Sequence, residues 1–200
     1  MYTAAIHKLP RNFVPADFLV SNWEGLEPFF KNLLDRQIDS TTALEQWLKD
    51  QSELEALVSE DACWRQIRMT CDTENKTLEE AFNFFVMEIQ PKIQPYADAL
   101  NKKLVNHPLT KDLDANKYFT YLRSVKKSIE LFKEENIPLQ SELAVLQQQY
   151  GVTTGKMTVV VDDKEYTLQQ AAKFLESHNR NKREEVYRKI QERRLQDTDT

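Results

Sequence analysis

The chain carries 27 basic and 32 acidic side chains in 200 residues, a formal net charge of −5, which disfavours a surface built to neutralise nucleic-acid phosphates. A compact chain of this length buries roughly 70% of its unfolded surface, so it needs no disulfide or structural metal, and it suits one large domain or two small, closely packed ones. Three glycines against ten phenylalanines leave little turn material and a large apolar payload, which favours long helices over a many-stranded sandwich or barrel.

Residues 1–20 hold Pro10 and Pro15 without a sustained period and are expected to form an extended, partly ordered lead-in. Trp23 to Ile38 reads as a helix with Phe29, Phe30, Leu33 and Leu34 on one side, and Pro28 belongs near its first turn, where a missing N–H costs little. Thr42 with Glu45 fits a capping box for the next helix, whose stripe runs through Leu44, Trp47, Leu54 and Val58. Asp61 can cap a continuation carrying Trp64, Ile67 and Cys71. Thr77 with Glu80 is another box, after which Leu78, Phe82, Phe85, Ile89, Ile93, Tyr96, Leu100 and Leu104 keep phase. Pro91 and Pro95 fall inside that phase and predict a kink.

Pro108 marks a loop, and Tyr118, Leu122, Val125, Ile129 and Phe132 form the next stripe. Pro138 opens a helix bearing Leu139, Leu143, Leu146 and Tyr150, with Gly151 placed to cap it in the left-handed conformation. The period then changes. Met157, Val159 and Val161 alternate with Thr158 and Val160, and Asp162-Asp163-Lys164 turns the chain toward Tyr166, a β-hairpin signal without the favoured glycine. Thr167 with Gln170 caps a helix carrying Leu168, Ala171, Ala172 and Leu175, and Asn181 with Glu184 starts the last one. The expected fold is mainly α, a multi-helix bundle-like array with one small hairpin near residues 156–167. Its expected divisions are the lead-in over 1–20, a helical domain over 21–151, and the hairpin with its helices over 152–200.

Candidate chemistry is sparse. His7, His107 and His178 include no His-x-x-x-His pair, and there is no Cys-x-x-Cys. Cys63 and Cys71 on one helix would sit about 12 Å apart, too far for a disulfide, so a reducing cytoplasm is the natural setting. Gly151 and Gly155 match neither a phosphate loop nor a dinucleotide fingerprint. Asp72, Glu74, Glu79 and Glu80 cluster at a helix junction, where carboxylates usually serve N–H groups rather than acid–base chemistry. The last helix mixes Lys182, Arg183, Arg188, Lys189, Arg193 and Arg194 with Glu184, Glu185 and Glu192, in favourable i,i+4 pairs such as Glu184–Arg188 and Glu185–Lys189. Its few apolar residues, Val186, Tyr187, Ile190 and Leu195, suggest that it docks on something beyond Thr200. No residue is assigned a catalytic, cofactor-binding or metal-ligating role. Phe84-Phe85-Val86-Met87 is far short of the roughly 20 residues that span a bilayer, and Met1 to Lys8 lacks a signal-peptide apolar core. Neither a membrane nor nucleic acid is an expected partner.

An ordered series of segments carries a family resemblance: Leu44-Glu45-Gln46-Trp47-Leu48, Ser52 to Ala56, Ile67 to Asn75, Glu130 to Leu139, Tyr150-Gly151, Gly155 to Val159, Tyr166 to Ala171 and Arg183 to Tyr187. From about Trp23 to Leu195 the chain resembles the amino-terminal region of oligoendopeptidase F, a relative of thimet oligopeptidase. The resemblance implies a helical fold lining one side of a deep channel in a cytoplasmic zinc peptidase of short, unstructured peptides. The family holds zinc through His-Glu-x-x-His on a helix, and those residues do not occur here. On this reading zinc and catalysis belong to a catalytic domain outside these residues, that domain is the partner, and the chain alone is inert and prone to self-associate. A stand-alone, non-catalytic helical peptide-binding module is the alternative.

Overall fold

The computed structural model describes residues 10–198. Residues 10–20 lack regular structure, yet they are held rather than loose. Val14 and Val20 enter the core with Phe13 and Phe18 packed on it. The Glu53 carboxylate accepts the backbone N–H groups of Asn12, Phe13 and Val14 at 2.8, 2.9 and 2.8 Å.

Helix α1 spans Trp23–Asp35 and starts at Asn22, whose side chain accepts from Gly25 N. Pro28 lies inside it, one turn deeper than the sequence suggests. The last turn of α1 has no basic residue of its own. Lys103 supplies the charge from a distant helix, donating to Leu33 O, Leu34 O and Arg36 O at 3.0, 2.6 and 2.7 Å, while Trp47 Nε1 also donates to Leu33 O at 2.9 Å. Free carbonyls at a helix end attract such a cation. Burial pushes the Lys103 amine below its ordinary range.

Helix α2 is one unbroken 31-residue rod, Thr41–Cys71. Ser40, not Thr42, caps it, accepting from Ala43 N, and Asp61 caps nothing. Asp61 instead pairs with Arg65 at 2.6 Å, and Arg65 also donates to Val20 O and Ala81 O. Leu44, Trp47, Leu54 and Leu57 are buried, whereas Trp64, Ile67 and Cys71, expected as apolar contacts, are exposed and Met69 is buried in their place.

Helix α3 (Lys76–Phe84), a π-helical turn (Phe85–Ile89) and α4 (Gln90–Asn106) form one continuous helical stretch. Asn75 rather than Thr77 caps α3. The π turn adds a residue to the hydrogen-bond ring, with Gln90 N donating to Phe85 O, so Pro91 is accommodated without ending the helix, and Pro95 lies inside α4. A 3₁₀ turn (Pro108–Asp112) leads to α5 (Ala115–Leu131), capped by Asp114. These elements enclose the first core cluster around Trp47, Leu26, Leu33 and Leu100.

Helix α6 (Asn136–Gly155) bridges to the second cluster. Gly151 lies within it, and no described glycine has a positive φ, so the left-handed cap is absent. The expected hairpin is present as β1 (Thr158–Val161) and β2 (Lys164–Thr167), antiparallel, with Val159 opposite Tyr166. Asp162 and Asp163 take φ of 51° and 58°, the positive values that a two-residue turn of the right twist requires. Thr167 and Gln170 form the predicted capping box on α7 (Leu168–Ala172), followed by a 3₁₀ turn (Lys173–Glu176). Helix α8 (Arg180–Leu195) is capped by Asn179, two residues before the expected start. Its Val186 and Ile190 pack on the hairpin and α7 with Val159, Val161 and Ala171. The helix therefore docks on its own chain, leaving Tyr187 and Leu195 exposed.

Candidate functional site

Among the described residues, no group of three or more His, Cys, Asp or Glu side chains could hold a metal. His7 lies outside the described residues. His107 sits before the 3₁₀ turn, where its Nδ1 accepts Leu109 N at 3.3 Å, a capping role. Cys63 and Cys71 share α2 and are both exposed free thiols.

The acidic cluster at the α2–α3 junction is spread over separate partners. Asp72 accepts from Asn75 Nδ2 at 3.3 Å, Glu74 faces Lys156 at 3.7 Å, and Glu79 takes Lys76 at 2.8 Å and Gln148 Nε2 at 3.3 Å. The Lys76 hydrogen bond holds the Glu79 carboxyl below its ordinary range. Through Glu79 and Gln148 this junction stitches α3 to α6.

One cleft of the helical region, of about 1020 Å³, lies between the lead-in, α2 and α5. Glu45, Glu53, Glu55, Tyr118 and Tyr121 line it. Glu45 accepts from Lys117 at 3.0 Å and Tyr118 Oη at 2.8 Å, and these contacts lower its pKa. Glu55 accepts from Gln51 at 2.8 Å, and Glu53 is committed to the lead-in. Burial, with the Glu55 charge, pushes the Tyr121 phenol up to about 12. The cleft thus sets carboxylates held by internal hydrogen bonds beside Arg11, Lys49, Lys117 and two tyrosines.

A second concavity of about 810 Å³ lies where α6 meets the hairpin unit, between Leu146, Tyr150, Leu168, Ala172 and Arg194. Its α6 wall belongs to a stripe that sequence periodicity located but could not orient. Leu139, Leu143, Leu146 and Tyr150 are 59, 54, 60 and 72% exposed. The helix turns Ile137 and Gln148 inward instead.

No helix among the described residues is long and apolar enough to cross a membrane. Comparison with curated proteins gives no match. Two solved structures share the fold. One, a protein assigned as oligoendopeptidase F and determined by X-ray diffraction at 3.1 Å, aligns with TM-score 0.80 and 19% identity over 94% of this chain and 33% of its own. The other, assigned likewise and from Bacillus anthracis str. Ames, aligns with TM-score 0.81 and 18% identity over 92% of this chain and 34% of its own. The chain therefore spans about a third of the length of the structures it matches. The Peptidase M3 N-terminal domain family matches residues 13–132, more than half of the sequence and most of the first core, and the chain belongs to that family.

Proposed function

We infer that the chain is the amino-terminal helical part of a zinc endopeptidase that hydrolyses short, unstructured peptides in the cytoplasm. It forms one wall of the substrate channel and orients peptides toward zinc held elsewhere in the same protein. The observation that carries this reading is the family match over residues 13–132, joined to a fold shared with proteins assigned as oligoendopeptidase F along nearly the whole chain. The α2–α5 cleft is the stretch best suited to line such a channel, because its acceptors can meet the N–H groups of an extended peptide.

Zinc does not fit the residues present, since no cluster of suitable donors exists among the described ones and every structural or catalytic zinc site needs at least three protein ligands. On this reading the catalytic domain is the required partner, and the chain alone is inert. The division into a helical unit over 21–151 and a hairpin unit over 152–200 is part of this proposal, supported by the two separate hydrophobic clusters.

The test is hydrolysis of an internally quenched short peptide, with zinc supplied. The 200-residue chain should give no turnover. A polypeptide extended to the length of the structural relatives should turn over, and lose activity to a chelator. Zinc-dependent hydrolysis by the 200-residue chain would overturn the assignment.

A further inference from the structure

Helix α6 carries apolar residues on both sides, more than a helix that serves only this chain needs. Its inward face carries Ile137, Ser141, Ala144, Gln148 and Val152, mostly small or polar. Its outward face carries Leu139, Leu143, Leu146 and Tyr150, each more than half exposed. Successive steps of four, three and four residues are the d-a-d-a spacing of a helix-pairing seam, in which each side chain enters a hole on a facing helix. The sites flanking that seam are Gln140, Glu142, Gln147 and Gln149, nearly uncharged. They set no demand for a charged partner. Toward its carboxyl end the seam opens into the groove shared with Leu168 and Ala172, a shape that admits a rod-like neighbour.

The size of the seam decides where that neighbour comes from. From Leu139 to Tyr150 the strip is only about 16 Å long. The exposed parts of three leucines and one tyrosine amount to roughly 450–550 Å², about six-tenths of the ~800 Å² per partner that a stable free complex needs. A freely diffusing protein, including a second copy, would hold weakly here. A tethered helix meets the seam at an effective concentration on the order of millimolar and needs no more area. The solved structures that share this fold are about three times as long as the part they share with it.

We propose that the outward seam of α6 docks the apolar face of a helix belonging to the same polypeptide beyond residue 200. This rests on the reading of the chain as part of a longer peptidase. It adds that α6 is the joint between the helical wall and the remainder of the protein.

The test is thiol accessibility. Cys63 and Cys71, both exposed, are replaced by serine, and Leu146→Cys is introduced. In the 200-residue chain N-ethylmaleimide should modify the new thiol at the rate of a free thiol. In the polypeptide extended through its natural stop the rate should fall by about tenfold or more, as a docked helix must open first. Equal rates in the two proteins overturn the proposal, as does a reading frame that ends at Thr200. The self-association expected of the isolated chain should be weak for so small a seam, so at about 10 µM the 200-residue chain should sediment as a monomer. A dimer that Leu143→Gln dissolves would assign the seam to a second copy and overturn the intramolecular occupant. Protection without peptide hydrolysis would sink the peptidase reading alone, and hydrolysis without protection would sink this one alone.

Discussion

The Ser141 hydroxyl donates to the Val86 carbonyl at 3.1 Å, and the partner it replaces can be named. In the π turn Gln90 N reaches back five residues to Phe85 O. The next donor in that pattern would be residue 91 serving Val86 O, and residue 91 is proline. Proline has no N–H, so a hydroxyl from α6 completes the ladder. This bond ties α6 to the π turn at the point where the backbone most needs a donor.

Ser141→Ala should therefore cost more than an average surface serine. Leaving a partly buried carbonyl unpaired costs about 1–3 kcal/mol. Urea unfolding should show that loss. The same substitution in a Pro91→Ala background should cost clearly less, because an alanine N–H can serve Val86 O. Equal costs in both backgrounds would mean that Ser141 acts through packing alone.

The lead-in gives the second expectation. Glu53 accepts three consecutive backbone N–H groups. Burial pushes its pKa up, but those three hydrogen bonds outweigh it and the net shift is downward. A carboxyl with a folded pKa below its unfolded value binds fewer protons when folded. Its contribution is thus fully present above the unfolded value of about 4.3 and is lost as pH falls through the lower, folded one. Glu53→Gln should destabilise by about 2 kcal/mol at neutral pH and flatten the loss of stability below that pH. Amide exchange at Asn12, Phe13 and Val14 should accelerate in the same variant.

Lys103 gives the third. Its ammonium satisfies three carbonyls at the end of α1, from a helix 67 to 70 residues away in sequence. Lys103→Met keeps most of the stem but leaves those carbonyls without their charged donor, a loss of about 2–3 kcal/mol by urea unfolding. Lys103→Arg should recover only part of it, since a planar fork cannot converge on three carbonyls as an ammonium does.

These contacts show what could be read from the sequence and what could not. The hairpin and the Thr167–Gln170 box are local, and both lie where alternation and spacing place them. Three other helix starts fall two residues early, at Ser40, Asn75 and Asn179. The box pattern demands a glutamate at the third position, and the true caps are one-sided. Periodicity located the α6 stripe but not its direction, because a period defines a face and says nothing of what covers it. The Glu53 and Lys103 contacts were invisible for a different reason: each joins segments 39 or more residues apart, and no local pattern encodes such a pairing. The α2–α5 cleft was missed on the same ground. Its lining residues carry no motif, only a position on separate elements.

The hairpin turn offers a gain rather than a loss. Asp162 and Asp163 both occupy positive φ, a region that strains side-chain-bearing residues and that glycine enters freely. Asp162 also pairs with Lys182 of α8 at 2.6 Å, so replacing it would break a contact to the second cluster. Asp163 has no such tie among the described contacts. Asp163→Gly should therefore relieve strain and stabilise the hairpin by about 0.5–1 kcal/mol, the range seen when a turn receives its preferred residue. The effect should be confined to the second cluster. Hydrogen exchange of the β1 and β2 amides should slow, while the amides of α1 and α2 keep their wild-type rates. Equal slowing throughout would mean that the two clusters unfold as one unit.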